Sequence, residues 1–93
     1  MYMLVENRIF TEAVLDSKVY IDFFFNEEEA RNELNERSNK LAEYRKELKA
    51  EYEDYNDYLT VGSNSFYYED DERNLVISCE IQQKQQHMKF MVE

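Results

Sequence analysis

The stretch KVYIDFFFNEEEAR, residues 18–31, decides the fold class, because the hydrophobic period changes within it. At Asn26 a preferred helix N-cap appears, and Glu29 follows three residues later, as in a capping box. Before Asn26 the side chains follow the two-residue period of a half-buried strand, with one phase formed by Val19, Ile21, Phe23 and Phe25. The stretch therefore predicts a strand that passes directly into a helix.

Downstream of the cap, apolar residues recur at spacings of three, four or seven and predict one long helix over residues 27–57. This stripe consists of Ala30, Leu34, Leu41, Leu48, Tyr52, Tyr55 and Leu59. It places both Tyr52 and Tyr55 in the core. Three pairs have the favourable acid-first i,i+4 order, namely Glu27/Arg31, Glu33/Arg37 and Glu36/Lys40.

Strands are predicted on both sides of this helix. Residues 2–10 are rich in apolar and β-prone side chains and are expected to form an antiparallel hairpin with residues 18–25. A loop at 61–65 precedes a second hairpin, with arms at 66–68 and 75–81.

Three further expectations concern the end of the chain. Tyr67 and Tyr68 are adjacent in a strand and must point to opposite faces. Cys79 falls on the inward face of its strand. Residues 88–92 either add a short edge strand or pack as a tail.

The predicted fold class is α+β, an antiparallel sheet of about four strands (β-β-α-β-β) packed against one long helix. Ninety-three residues suffice for a single domain, residues 1–93. One cysteine excludes an internal disulfide and a multi-cysteine zinc site. With no apolar run of ~20 residues and no signal peptide, these features predict a soluble protein of a reducing cytoplasm.

The net charge of −10 is concentrated in residues 51–72, which hold eight acids, no base and five of the eight tyrosines. Such a field repels nucleic acid and anionic membranes and attracts basic surfaces. On the predicted helix Glu53 and Asp57 repel each other, and anions are disfavoured near a helix C-terminus. Two interpretations remain open: the acids form a binding surface, or they only keep the protein in solution.

The residues predict no enzyme, no cofactor and no metal. Cys79 and His87 are the one candidate nucleophile–base pair, and Cys79 is better explained as a core residue. A calcium loop beginning at Asp54 fails, because Leu59 and Ser65 occupy the positions that require glycine and glutamate. A single glycine excludes phosphate-binding loops.

In its general plan the chain resembles small acidic proteins of phages and mobile elements. The plan comprises a strand hairpin, an F-x-x-E-E-A helix start at residues 25–30, a long charged helix and closing strands. The resemblance is to DNA-mimic inhibitors, including anti-CRISPR proteins. It implies a protein of the host cytoplasm that inhibits a nucleic-acid-binding machine.

The functional hypothesis is an acidic inhibitor that occupies the basic surface of a nucleic-acid-binding host protein. Tyrosines near the acids would anchor the contact, because tyrosine covers area at low entropic cost. The predicted partner-binding residues are Glu51, Glu53, Asp54, Asp57, Tyr58, Tyr67, Tyr68, Glu69, Asp70, Asp71 and Glu72. No direct contact with nucleic acid or membrane is expected.

The alternative hypothesis is a structural, self-associating protein. The seven-residue repeat of Leu34, Leu41, Leu48 and Tyr55 predicts a helix that could pair with a second copy of itself. If the acids lie on the surface, changing Asp54, Asp57, Asp70 and Asp71 to Asn is expected to leave the fold intact.

Overall fold

The computed structural model describes residues 1–83, which form a five-stranded antiparallel sheet with one long helix across one face. The order along the chain is β1 (Tyr2–Phe10), a short 3-10 helix (Val14–Asp16), β2 (Lys18–Phe24), α1 (Glu27–Glu51), β3 (Asp57–Val61), β4 (Ser65–Asp70) and β5 (Leu75–Gln83). In the sheet the order is β2-β1-β5-β4-β3. The predicted α+β class is confirmed, with five strands instead of about four.

The first hairpin is confirmed, and β1 pairs with β2 in antiparallel register, Val5 opposite Ile21. The helix nevertheless covers the other face of these strands, where Leu4 and Glu6 are buried. The apolar phase of β2 is therefore left exposed, and Ile21 and Phe23 are 50% and 57% exposed. The alternation of β2 was recognised correctly, but its apolar side does not face the core.

The start of α1 agrees with its sequence signals. The side-chain oxygen of Asn26 accepts a hydrogen bond from the backbone N–H of Glu29 at 2.9 Å. Three glutamates in the first turn lie near the positive end of the helix dipole. All three predicted i,i+4 ion pairs form, Glu27–Arg31, Glu33–Arg37 and Glu36–Lys40.

The predicted end of the helix is wrong, because α1 ends at Glu51 and residues 57–61 form β3. The spacing of Tyr52, Tyr55 and Leu59 fits a helix by coincidence. Asp57, Leu59 and Val61 also alternate with period two, and pairing with β4 decides in favour of the strand. Leu59 packs against the core from β3, whereas Tyr52 is 54% exposed and not a core residue.

The loop predicted at 61–65 is the turn between β3 and β4, where the backbone N–H of Gly62 donates to the carbonyl of Ser65 at 2.8 Å. Tyr67 and Tyr68 do point to opposite faces, with exposures of 38% and 0%. Cys79 is buried as expected, and burial raises the pKa of its thiol to about 11. The thiol is therefore protonated and unreactive at neutral pH.

The core lies between α1 and the middle of the sheet and consists of Leu4, Leu34, Phe66, Tyr68, Leu75, Ile77 and Cys79. Leu41 packs at its edge. Leu34 and Leu41 of the apolar stripe of α1 are thus used within the domain.

Residues 84–93 lie outside the described residues, and with them His87 and the edge strand or tail predicted at 88–92. In the described part of the chain, no helix is both long enough and apolar enough to cross a membrane.

Candidate functional site

The structure divides the acids of residues 51–72 into an interior pair and a surface group. Asp57 and Asp70 form the interior pair. They lie directly opposite each other in β3 and β4, on the face covered by α1. Both carboxylates have no exposed surface. They are therefore part of the folded interior and not of a contact surface.

Three cations neutralise the interior pair. Arg45 binds both oxygens of Asp57, with Nε and Nη2 at 2.9 and 3.0 Å. Lys49 Nζ lies 3.1 Å from the same carboxylate. Arg73 donates to Asp70 through Nε at 2.8 Å and through its backbone N–H at 3.0 Å. These contacts join the C-terminal half of α1 and the β4–β5 turn to β3 and β4.

Two tyrosine hydroxyls complete this network. Tyr68 Oη lies 3.0 Å from an oxygen of Asp57 and 3.1 Å from an oxygen of Asp70. Tyr55 Oη donates to Asp70 at 2.7 Å. Burial and the hydrogen bond to Asp70 raise the pKa of Tyr55 to about 12, and burial and both carboxylates raise the pKa of Tyr68. Both hydroxyls remain protonated donors at neutral pH.

Burial alone would raise the pKa of Asp57, but hydrogen bonds from Arg45, Lys49 and Tyr68 outweigh it and hold the pKa at about 2. The pKa of Asp70 is also lowered, against its burial, by Tyr55, Arg73 and Tyr68. Both groups are charged in the folded protein at any pH near neutrality.

The lowered pKa of Asp57 predicts a loss of stability in acid. The folded value of about 2 lies below the ordinary 3.8, so its stabilising effect is complete above pH 3.8 and disappears as the pH falls towards 2. At 1.36 kcal/mol per unit the effect is about 2 kcal/mol. Urea unfolding between pH 6 and pH 2 should show it, and Asp57→Asn should show a smaller loss. Asp54→Asn, at an exposed site, should keep the full loss, and an equal loss in Asp57→Asn would contradict the assignment.

The surface group, which we call the acidic end, consists of five exposed acids, Glu51, Glu53, Asp54, Asp71 and Glu72. Glu53, Asp54 and Glu72 line one shallow cleft. Asp71 is brought to the same end by Asn56, whose carbonyl accepts its backbone N–H at 3.2 Å and whose side chain donates to its carboxylate at 3.0 Å. Within residues 1–83 none of the five acids forms an ion pair.

The remaining predicted contact residues lie on the sheet face that points away from α1. Tyr58 and Glu69 are opposite each other in β3 and β4. Tyr67 donates a hydrogen bond to the carboxylate of Glu69. Since Glu69 precedes Asp71 by two residues, this group borders the acidic end without being part of it.

Of the eleven predicted contact residues, Asp57, Tyr68 and Asp70 are the ones that the structure places inside the protein. The sequence alone does not show which cations the fold brings next to these residues. Conversely, Tyr52 was expected in the core but is exposed and lines the cleft beside Glu53. Because α1 ends at Glu51, Tyr52 follows the helix and does not continue its apolar stripe. The four-residue change to Asn, which includes Asp57 and Asp70, is now expected to disrupt the fold.

A groove of about 790 Å³ lies between α1 and the sheet. It is lined by Arg37, which contacts Glu6 at 3.3 Å, Asp22 at 2.6 Å and Glu33 at 2.7 Å. Because these charges already pair with one another, the groove is a weaker candidate than the acidic end. Among residues 1–83 no group of acids, histidines and cysteines has the arrangement of a metal site.

Compared with known proteins, the chain matches no family model, no curated protein sequence and no solved structure. The function proposed for it therefore rests on its own surface.

Proposed function

We propose that this protein is a non-enzymatic inhibitor that binds the basic, nucleic-acid-binding surface of a host protein. The acidic end is the contact surface, and its carboxylates take the place of phosphates. A cytoplasmic partner of this kind has clustered Lys and Arg side chains, which attract a group of carboxylates that forms no ion pair with residues 1–83.

The observation that supports this proposal is the contrast between the two groups of acids. Asp57 and Asp70 are neutralised by cations of the same chain. The five acids of the acidic end form no ion pair with residues 1–83, although they come from two separate segments. Duplex DNA carries one charge per ~1.7 Å of axis, so five carboxylates match the charge of about 9 Å of duplex.

Tyr52 is the aromatic residue best placed to contact such a partner. It lies in the cleft beside Glu53 and is 54% exposed. Tyrosine combines a large apolar ring with a polar hydroxyl, and arginine stacks favourably on its face. A Tyr52→Ala change is expected to weaken partner binding without disturbing the core.

The test compares two variants with the same change of net charge. One changes the acidic end to amides, Glu51→Gln, Glu53→Gln, Asp54→Asn, Asp71→Asn and Glu72→Gln. The control changes five exposed acids elsewhere, Glu12→Gln, Asp16→Asn, Glu28→Gln, Glu43→Gln and Glu47→Gln. Both variants go from a net charge of −10 to −5. They differ therefore only in where the charge is removed.

The parent and both variants are used as baits in a bacterial lysate. Proteins retained by the parent and the control, but not by the acidic-end variant, are then purified and tested with a labelled DNA duplex. The parent should displace the duplex, and the acidic-end variant should be about 10- to 100-fold weaker, since exposed ion pairs contribute ~0.2–1 kcal/mol each. Binding should also weaken with salt. Equal retention and competition by the two variants would refute the proposal.

A further inference from the structure

One face of the sheet, here called the open face, has no layer packed on it in the described part of the chain. Pairing across the five strands places sixteen side chains on it, and none of them is buried. They are Met3, Val5, Asn7 and Ile9 of β1, Val19, Ile21 and Phe23 of β2, Tyr58 and Thr60 of β3, Ser65, Tyr67 and Glu69 of β4, and Val76, Ser78, Glu80 and Gln82 of β5.

The open face is depleted in charge. It holds two acids and no base among its sixteen residues, in a chain of which 34% is charged. Seven of its side chains are apolar (Val, Ile, Phe or Met), and they cluster on β1, β2 and one end of β5. Phe23 lies opposite Met3, Ile21 opposite Val5, and Ile9 opposite Val76. A surface with few charged residues is typical of the buried part of a protein interface.

We propose that the open face binds the open face of a second copy of this chain, so that two sheets stack in a symmetric dimer. In a two-fold interface the same patch lies on both sides, which suits an apolar surface that needs no opposite charge. The helices of both copies then lie on the outside. The acidic end remains accessible, because it is formed by the last residue of α1 and by loops, and not by this face.

The size of the open face fits a dimer. The strands hold nine, seven, five, six and nine residues, so at ~4.8 Å between strands and ~3.4 Å per residue the face covers roughly 590 Å². Stable interfaces bury about 600–1,000 Å² on each partner, so the open face lies at the lower end of this range. Stacked sheets about 10 Å apart would bring the apolar side chains of both copies into contact.

The two acids of the open face lie next to the apolar cluster, Glu80 opposite Val5 and Glu69 opposite Val76. Glu69 accepts a hydrogen bond from Tyr67, and Glu80 accepts one from Gln82 at 2.7 Å. Both donors belong to the same face, so each carboxylate keeps a partner when water is excluded.

The dependence on salt distinguishes this dimer from the binding of a basic partner. Each copy carries a net charge of −10, and this repulsion is screened by salt. The dimer should therefore tighten as salt is added, whereas binding through the acidic end should weaken. Failure of one proposal leaves the other intact.

The test is the mass in solution, measured by sedimentation equilibrium over a range of concentrations. The parent is expected near 23 kDa, twice the 11.4 kDa of one chain. Ile21→Glu places a charge within the apolar cluster, opposite Val5, and should raise the dissociation constant by about 30- to 100-fold. Leu15→Glu is the matched control, because Leu15 is fully exposed in the 3-10 helix and lies off the open face. It should leave the dimer unchanged.

A second measurement does not depend on a variant. In a mixture of labelled and unlabelled protein, isotope-filtered nuclear Overhauser effects between copies should join the methyl group of Met3 and the ring of Phe23 to the open face of the partner. Three results would overturn the proposal: a monomeric parent, an Ile21→Glu variant that remains dimeric, and contacts of these groups only within one chain. A monomer would include the case in which another protein, or the chain's own remaining residues, covers the face.

Discussion

Replacing Asp57 with Ala is expected to destabilise the protein by about 2–4 kcal/mol. A fully buried ion pair that loses one partner costs about 3–5 kcal/mol. The figure here is lower, because Arg45 and Lys49 are 24% and 46% exposed and regain some water. Since domains of this size are stable by only ~5–15 kcal/mol, the variant should unfold at a clearly lower urea concentration.

The position of Asp57 explains why the effect is large. The N-terminal half of α1 packs on the sheet through buried Ala30 and Leu34, whereas residues of its C-terminal half reach β3 through ion pairs with Asp57. Loss of this carboxylate should loosen β3 and the last turns of α1 first. Hydrogen exchange of their backbone amides is the direct measurement.

Asp54 provides the matched control. It precedes Asp57 by three residues and is exposed, with no ion pair to residues 1–83. Asp54→Ala should change the stability by less than about 0.5 kcal/mol. If the two variants were equally stable, the division into interior and surface acids would be incorrect.

Replacing Arg37 with Ala is the second change with a large expected effect, about 2–4 kcal/mol. The guanidinium joins α1 to both β1 and β2, through Glu6 at 3.3 Å and Asp22 at 2.6 Å. Glu6 is 5% exposed and would keep only Arg8 as a close cation, at 2.6 Å. A buried carboxylate with fewer partners is costly. Chemical denaturation of the variant measures this cost.

Two further variants test the cause. Adding Glu6→Gln to Arg37→Ala should recover part of the loss, since it removes the charge that lost its partner, and simple additivity would contradict this. Lys40→Ala is the control, because its pair with Glu36 is exposed on both sides, at 74% and 60%. That pair should contribute less than about 0.5 kcal/mol.

Several parts of the fold could be predicted because they depend on neighbouring residues. The cap at Asn26 and the three i,i+4 pairs involve side chains three or four positions apart, which a helix brings together whatever surrounds it. The alternation of β2, the opposite directions of Tyr67 and Tyr68 and the burial of Cys79 likewise follow from the geometry of a strand.

The sequence by itself determined the fold class, the start of the helix and the concentration of acids in residues 51–72. The end of α1 was decided by the tertiary structure. Pairing of β3 with β4 outweighs the helical spacing of Tyr52, Tyr55 and Leu59. Which acids are interior was also decided there. Arg45 lies twelve residues from Asp57 in sequence, and Tyr55 lies fifteen from Asp70, and such contacts exist only once α1 has packed across the sheet. Because α1 packs on one face of the sheet and nothing from residues 1–83 packs on the other, the apolar side of β2 is exposed.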